Sequence, residues 1–126
     1  MTVLSKGKVK RGEVWEVDFT PQAHAAEPSK RGRPALIIQT NLLNGVGHST
    51  TVVIPTTTDV DRNAHPLRVF IGKLQKPGEQ PQDSDLMIDQ IRAIANDRFM
   101  GDGPLTVLST NHMKLVDGAL KVIVGQ

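Results

Sequence analysis

The chain has 126 residues, enough for one compact domain and too few for two ordinary ones. With 38% hydrophobic and 22% charged residues it is globular in composition, and the absence of cysteine excludes a disulfide scaffold, a cysteine-ligated zinc site and thiol catalysis. Formal net charge is +2, unevenly spread: residues 1–33 hold seven Lys/Arg against four acids, residues 34–126 eight against nine. A basic first quarter attracts polyanions, and it also suits an ordinary solvated surface.

No apolar run approaches the ~18 residues of a membrane span. Met1 to Lys10 carries three lysines and no apolar stretch after them, so it reads as a basic, flexible lead-in and not as a secretory signal. A cytoplasmic location without membrane contact is expected. Beyond the lead-in, no repeat divides the chain, and residues 1–126 are expected to form a single domain.

The first strand signal is Glu13 to Phe19, where Val14, Trp15, Val17 and Phe19 stand among acids at 13, 16 and 18. Thr20 to Gly32 follows as a long polar loop with two prolines, and such loops are often functional. Pro34 to Ile38 is a continuous apolar run, the mark of a strand buried on both faces, with proline at its tolerated first position. Thr40 to Gly47 reads as a turn or short helix. Thr51 to Ile54 is a β-branched run that ends at Pro55 and the threonines 56, 57 and 58.

Asp59 to Pro66 is polar loop, Leu67 to Ile71 a strand, and Lys73 to Ser84 a mobile loop. Asp85 to Ile94 alternates, with a bulge expected around Ile88 to Ile91. Asn96 to Gly101 suggests a helical turn, and Pro104 to Leu108 a short strand. From Thr110 or Asn111, either of which can cap a helix, the period changes. Met113, Val116, Leu120 and Ile123, widened by Leu115 and Ala119, predict an amphipathic helix of roughly 13 residues. Gly118 costs that helix about 1 kcal/mol, so it depends on packing. The sum is an α+β, mainly β chain: a strongly bent or barrel-like sheet with one closing helix.

For chemistry, the histidines at 24, 48, 65 and 112 show no metal-ligand spacing, and no phosphate loop or nucleophile elbow is present. No metal and no cofactor is expected. What remains is Arg33 at the mouth of one buried strand and the threonine triplet at the end of another. Side by side, these strands would converge a guanidinium and hydroxyls on one phosphate, which a guanidinium fork matches bidentately. The same residues equally suit an arginine paired with a surface acid and threonines that simply end a strand.

Four blocks carry a resemblance: Arg11 to Phe19, Glu27 through Arg33 to Asn41, Val53 to Thr58, and Asp89 to Ile94. In this order and spacing, over nearly the whole chain, they resemble the MazF/PemK toxins, endoribonucleases of type II toxin–antitoxin modules. The resemblance implies an SH3-like (CcdB/PemK-type) small barrel with a C-terminal helix, a homodimer, and neutralisation by a cognate antitoxin. It implies metal-independent, sequence-specific cleavage of single-stranded RNA, in which the ribose 2′-hydroxyl attacks the adjacent phosphate and leaves a 2′,3′-cyclic phosphate and a 5′-hydroxyl.

By motif, Arg33 and Thr57 match the family's essential arginine and threonine. Glu27 and Asp89 match acidic positions that serve as base. RNA contacts are implied for His24, Lys30, Arg31, Thr56, Thr58 and Gln90. Met87 departs from the PemK pattern, where some members carry a second arginine two residues before the aspartate, so the Arg33/Thr57 version is the expectation. Two alternatives differ in class. One is a gyrase-inhibiting docking toxin of the same fold, against which the chain lacks a C-terminal tryptophan. The other is a barrel that binds RNA without cutting it.

Overall fold

A computed structural model describes residues 8–19 and 32–125. Among these residues eight strands form a curled antiparallel sheet, with β1 at Glu13–Val17, β2 at Arg33–Ile37, β3 at Thr50–Thr57 and β4 at Arg68–Leu74. They continue with β5 at Gln82–Met87, β6 at Arg92–Ala95, β7 at Phe99–Met100 and β8 at Thr106–Val107. Helix α1 spans Asn41–Gly45 and α2 spans Thr110–Ile123. The main strand order is β4-β5-β3-β2-β1-β7, with β6 beside β3 and β8 beside β1. This is the bent, mainly β sheet with a C-terminal helix that the sequence predicts. Among the described residues no helix is long and apolar enough to cross a membrane.

β2 is buried on both faces, as its unbroken apolar run requires. Leu36 and Ile38 join Val14, Ile54, Val69, Leu86 and Ile88 in one core, which α2 closes with Val116 and Ala119. Ala35 and Ile37 join Val9, Trp15, Val17, Val53 and Ile94 in a second core on the opposite face. Phe99 meets Trp15 edge to face at 5.7 Å. The helix is capped one residue earlier than expected: Ser109 Oγ accepts from the His112 N–H at 3.1 Å. Leu115, assigned to the apolar stripe, lies outside it and is 53% exposed.

The lead-in is not loose throughout. Val9 is buried, Lys8 sits over the Trp15 ring, and the Lys10 N–H donates to Glu13. Arg11 ties this end to the helix by an ion pair with Asp117 and donates to the Ile38 carbonyl at 3.1 Å.

Two expectations are corrected in the central strands. β3 does not stop at Pro55 but runs through it to Thr57. The Ile38 N–H bonds Val52 O, so alternation puts Pro55 at a position that offers β2 no N–H. On its other edge β3 changes neighbours here, from β6 along 50–53 to β5 at 56–57, and the missing donor leaves no ladder bond broken. The expected loop 73–84 is also shorter. β4 and β5 pair through Lys73–Asp83 and Leu74–Gln82, with Leu74 buried and Lys73 3.2 Å from Asp83. The bulge lies in β4 between Phe70 and Gly72, and Ile88–Gln90 forms a 3₁₀ turn instead.

Candidate active site

Arg33 enters β2 from a tightly held residue. Gly32 is buried with φ +76°, and a Cβ there would collide with the Glu16 carboxylate. The Gly32 carbonyl accepts from Lys76 Nζ at 2.7 Å. Lys76 lies 3.4 Å from Glu79 and 4.0 Å from Glu16. Both β1 and the β4–β5 connection thus fix the backbone that carries the exposed Arg33 side chain.

The β2–β3 register sets Ala35 opposite Pro55 and Ile37 opposite Val53. Carried on by two residues, it sets Arg33 opposite Thr57 at a non-hydrogen-bonded position, where side chains on one face approach most closely. The Thr57 Oγ1 accepts from the Asp59 N–H at 3.1 Å. A hydroxyl has one hydrogen and two lone pairs, so this bond occupies an acceptor site and leaves the hydrogen to donate. Thr56 points the other way. It is 2% exposed and its hydroxyl donates to the Pro34 carbonyl at 2.7 Å, locking β3 to the start of β2.

Arg33 forms part of two clefts. The first, of about 320 Å³, is bordered by Arg33, Thr56, Thr57, exposed Thr58, Lys76 and Gln82. The second, of about 510 Å³, is bordered by Arg33, Phe19, Arg68, Arg92, Asp61, Asp89 and Gln90. Its three guanidinium groups outnumber its two carboxylates, and the Arg92 guanidinium lies 5.2 Å from the centre of the Phe19 ring. Asp89 and Gln90 stand exposed on the 3₁₀ turn between β5 and β6, with Gln90 Nε2 3.5 Å from the Asp89 carboxylate.

The fold therefore brings Arg33 and the threonine triplet to one cleft, and Arg33 with Asp89 and Gln90 to its neighbour. Glu27, His24, Lys30 and Arg31 lie outside the described residues. Sequence reading misses Lys76 and Gln82, because both fall in a stretch whose polar, proline-bearing composition looked like open loop. It also misses Arg68 and Asp85, whose placement depends on chain crossing between β4, β5 and the 58–61 turn.

A guanidinium and a hydroxyl thus stand at the rim of one open cleft. The model of PemK-like, MazF-like toxins of type II toxin–antitoxin systems matches residues 10–124. The chain belongs to that family. Solved structures share its fold over nearly full length at low identity. An endoribonuclease from a mycobacterial species aligns with a TM-score of 0.67 at 20% identity, covering 97% of this chain and 96% of that one. A mycobacterial endoribonuclease in complex with its cognate antitoxin aligns at 0.63 and 20% identity, covering 93% of each chain. A MazE–MazF structure from Deinococcus radiodurans aligns at 0.65 and 18%, covering 94% of this chain and 97% of that one. The curled sheet with its C-terminal helix is thus the fold of this toxin family.

Proposed function

We propose that this toxin-family protein is a sequence-specific endoribonuclease that cuts single-stranded RNA without a metal ion. The observation that carries the reading is the cleft bordered by both Arg33 and Thr57, toward which the β2–β3 register, continued by two residues, directs them. The nucleophile is the substrate's own 2′-hydroxyl. It attacks phosphorus in line, the P–O5′ bond breaks, and the products are a 2′,3′-cyclic phosphate and a 5′-hydroxyl. DNA lacks that hydroxyl and is not cut.

Arg33 supplies fixed positive charge to the non-bridging oxygens. A guanidinium holds its protons too tightly to give one up, so it stabilises charge and is not a proton donor. Thr57 donates its hydroxyl hydrogen to the same phosphate. A base takes the 2′-hydroxyl proton and an acid protonates the leaving oxygen. Asp89, beside Arg33 in the second cleft, and Glu27 are the candidate bases. Thr58 and Gln90, with His24, Lys30 and Arg31, contact the RNA strand, while Thr56 serves by holding the threonine segment in place. The partners in this reading are a second copy of the chain, in a homodimer, and an antitoxin.

The test is incubation of purified protein with single-stranded RNA in EDTA, followed by mapping of both ends. Cleavage with a cyclic phosphate at the 3′ end is expected. Intact RNA would instead favour the docking-toxin or RNA-binding alternatives, and a requirement for Mg²⁺ would reject the mechanism.

A further inference from the structure

Asp85 is a buried carboxylate that the proposed chemistry leaves unused. It lies in β5 with 0% exposure, opposite Thr57 of β3 on one side and Phe70 of β4 on the other. A buried charge is costly unless it is paired and hydrogen-bonded. Here Oδ2 accepts from the Asp61 N–H at 2.8 Å and lies 3.6 Å from Arg68 Nη1, while Oδ1 accepts no hydrogen bond among the described residues.

The same Arg68 nitrogen donates to the Asp59 carbonyl at 2.8 Å, and the Asp59 N–H donates to Thr57 Oγ1 at 3.1 Å. Asp85 therefore grips the turn after the threonines at two points, directly at Asp61 and through Arg68 at Asp59. That turn reaches back to the one oxygen of Thr57. A hydroxyl rotor with one acceptor site occupied has a restricted direction for its hydrogen.

We infer that Asp85 is a positioning residue for the Thr57 hydroxyl: through Arg68 and the Asp59–Asp61 turn it keeps the Asp59 N–H on Oγ1, so that the hydrogen points to the scissile phosphate. This rests on the reading of Thr57 as a phosphate donor. Asp85 touches no substrate atom in this arrangement. Its contribution is to the alignment of a group that does.

The test uses the full-length protein and an RNA whose wild-type cut has been mapped. Asp85→Asn keeps the shape but removes the charge that faces Arg68, and Arg68→Gln removes the clamp on Asp59 from its more exposed end. For both, kcat should fall on the order of 10- to 100-fold, as a misaligned catalytic group does. For Asp85→Asn, KM and the Kd for the same RNA carrying 2′-deoxyribose at the cut should stay within about twofold, because ground-state binding is not what is lost. Arg68→Gln also takes a charge from the second cleft, so its kcat is read at saturating RNA. Should Asp85→Asn not fold, the kcat of folded Arg68→Gln at saturating RNA reads the same loss of alignment. Unchanged kcat in the folded variants overturns the inference. So does a loss of binding in step with kcat in Asp85→Asn, since general unfolding of the site moves both. A wild-type protein that leaves RNA intact defeats the nuclease reading itself, and the positioning role with it. A wild type that cuts, beside variants that cut equally well, defeats only the role of Asp85.

Discussion

Lys76 Nζ donates to the Gly32 carbonyl at 2.7 Å, joining the β4–β5 connection to the residue that precedes Arg33. The two residues are 44 positions apart in the chain. The contact makes the entry of Arg33 into β2 a property of the tertiary structure as well as of the local chain.

Gly32→Ala tests that entry. The substitution forces an L-residue into φ +76° and drives its methyl group into the Glu16 carboxylate. A loss of roughly 1–3 kcal/mol is expected, read by urea denaturation, and RNA cleavage should fall with it as the Arg33 backbone shifts. An unchanged unfolding midpoint would show that Glu16 swings away freely.

Arg33→Ala and Thr57→Ala separate catalysis from folding. Arg33 is exposed and Thr57 is half-buried, so neither carries the core. Each should lower kcat about 100- to 1,000-fold, the usual cost of one preorganised donor. Melting temperatures should stay within about 4 °C of wild type, which corresponds to less than about 1 kcal/mol. Full cleavage by either variant would remove that residue from the reacting centre.

Thr56→Val separates the neighbouring threonine from this role. Its hydroxyl is buried and bound to the Pro34 carbonyl, which the change leaves without that donor. Stability should fall by about 1–3 kcal/mol. If Thr56 instead contacted RNA directly, the loss would appear in RNA affinity without a stability change.

Leu36→Ala tests the doubly buried strand. Leu36 is 0% exposed and packs in the core that α2 closes. A loss of about 2–5 kcal/mol in thermal or urea unfolding is expected. A smaller loss would mean that the helix collapses into the space.

Arg92→Gln tests the second cleft as part of the RNA path. With an uncleavable RNA, the slope of log Kd against log salt should decrease in magnitude by about 0.7 if one phosphate contact is lost. An unchanged slope would place the strand elsewhere.

Much of the fold follows from local chemistry. The unbroken Pro34–Ile38 run requires burial on both faces, and the two cores on either side of β2 supply it. The 3-and-4 spacing of Met113, Val116, Leu120 and Ile123 specifies the helix, although Leu115 shows that a stripe read from spacing is wider than the face its neighbours cover. The juxtaposition of Arg33 with Thr57 was readable only as a condition, that their strands be neighbours.

Where sequence reading failed, the deciding interaction was between distant segments. Pro55 is tolerated inside β3 because its edge changes partners there, which no run of residues reveals. Residues 73–74 and 82–84 belong to strands because Lys73 meets Asp83 and Leu74 is covered. Asp85 is polar in an alternating stretch and so reads as outward, yet Arg68 and the 58–61 turn enclose it.

Composition and periodicity alone determined a bent sheet, a doubly buried strand, a closing helix and a basic, threonine-bearing pair of strand ends, because each depends on side chains within one turn or one strand. Tertiary structure alone decided which strand ends meet, which threonine hydroxyl faces a cleft and which is spent on the backbone, and how one buried carboxylate braces the other side of the turn. Hydrogen-bond direction and burial are set by whichever distant backbone arrives alongside, and that is fixed only when the whole sheet has closed.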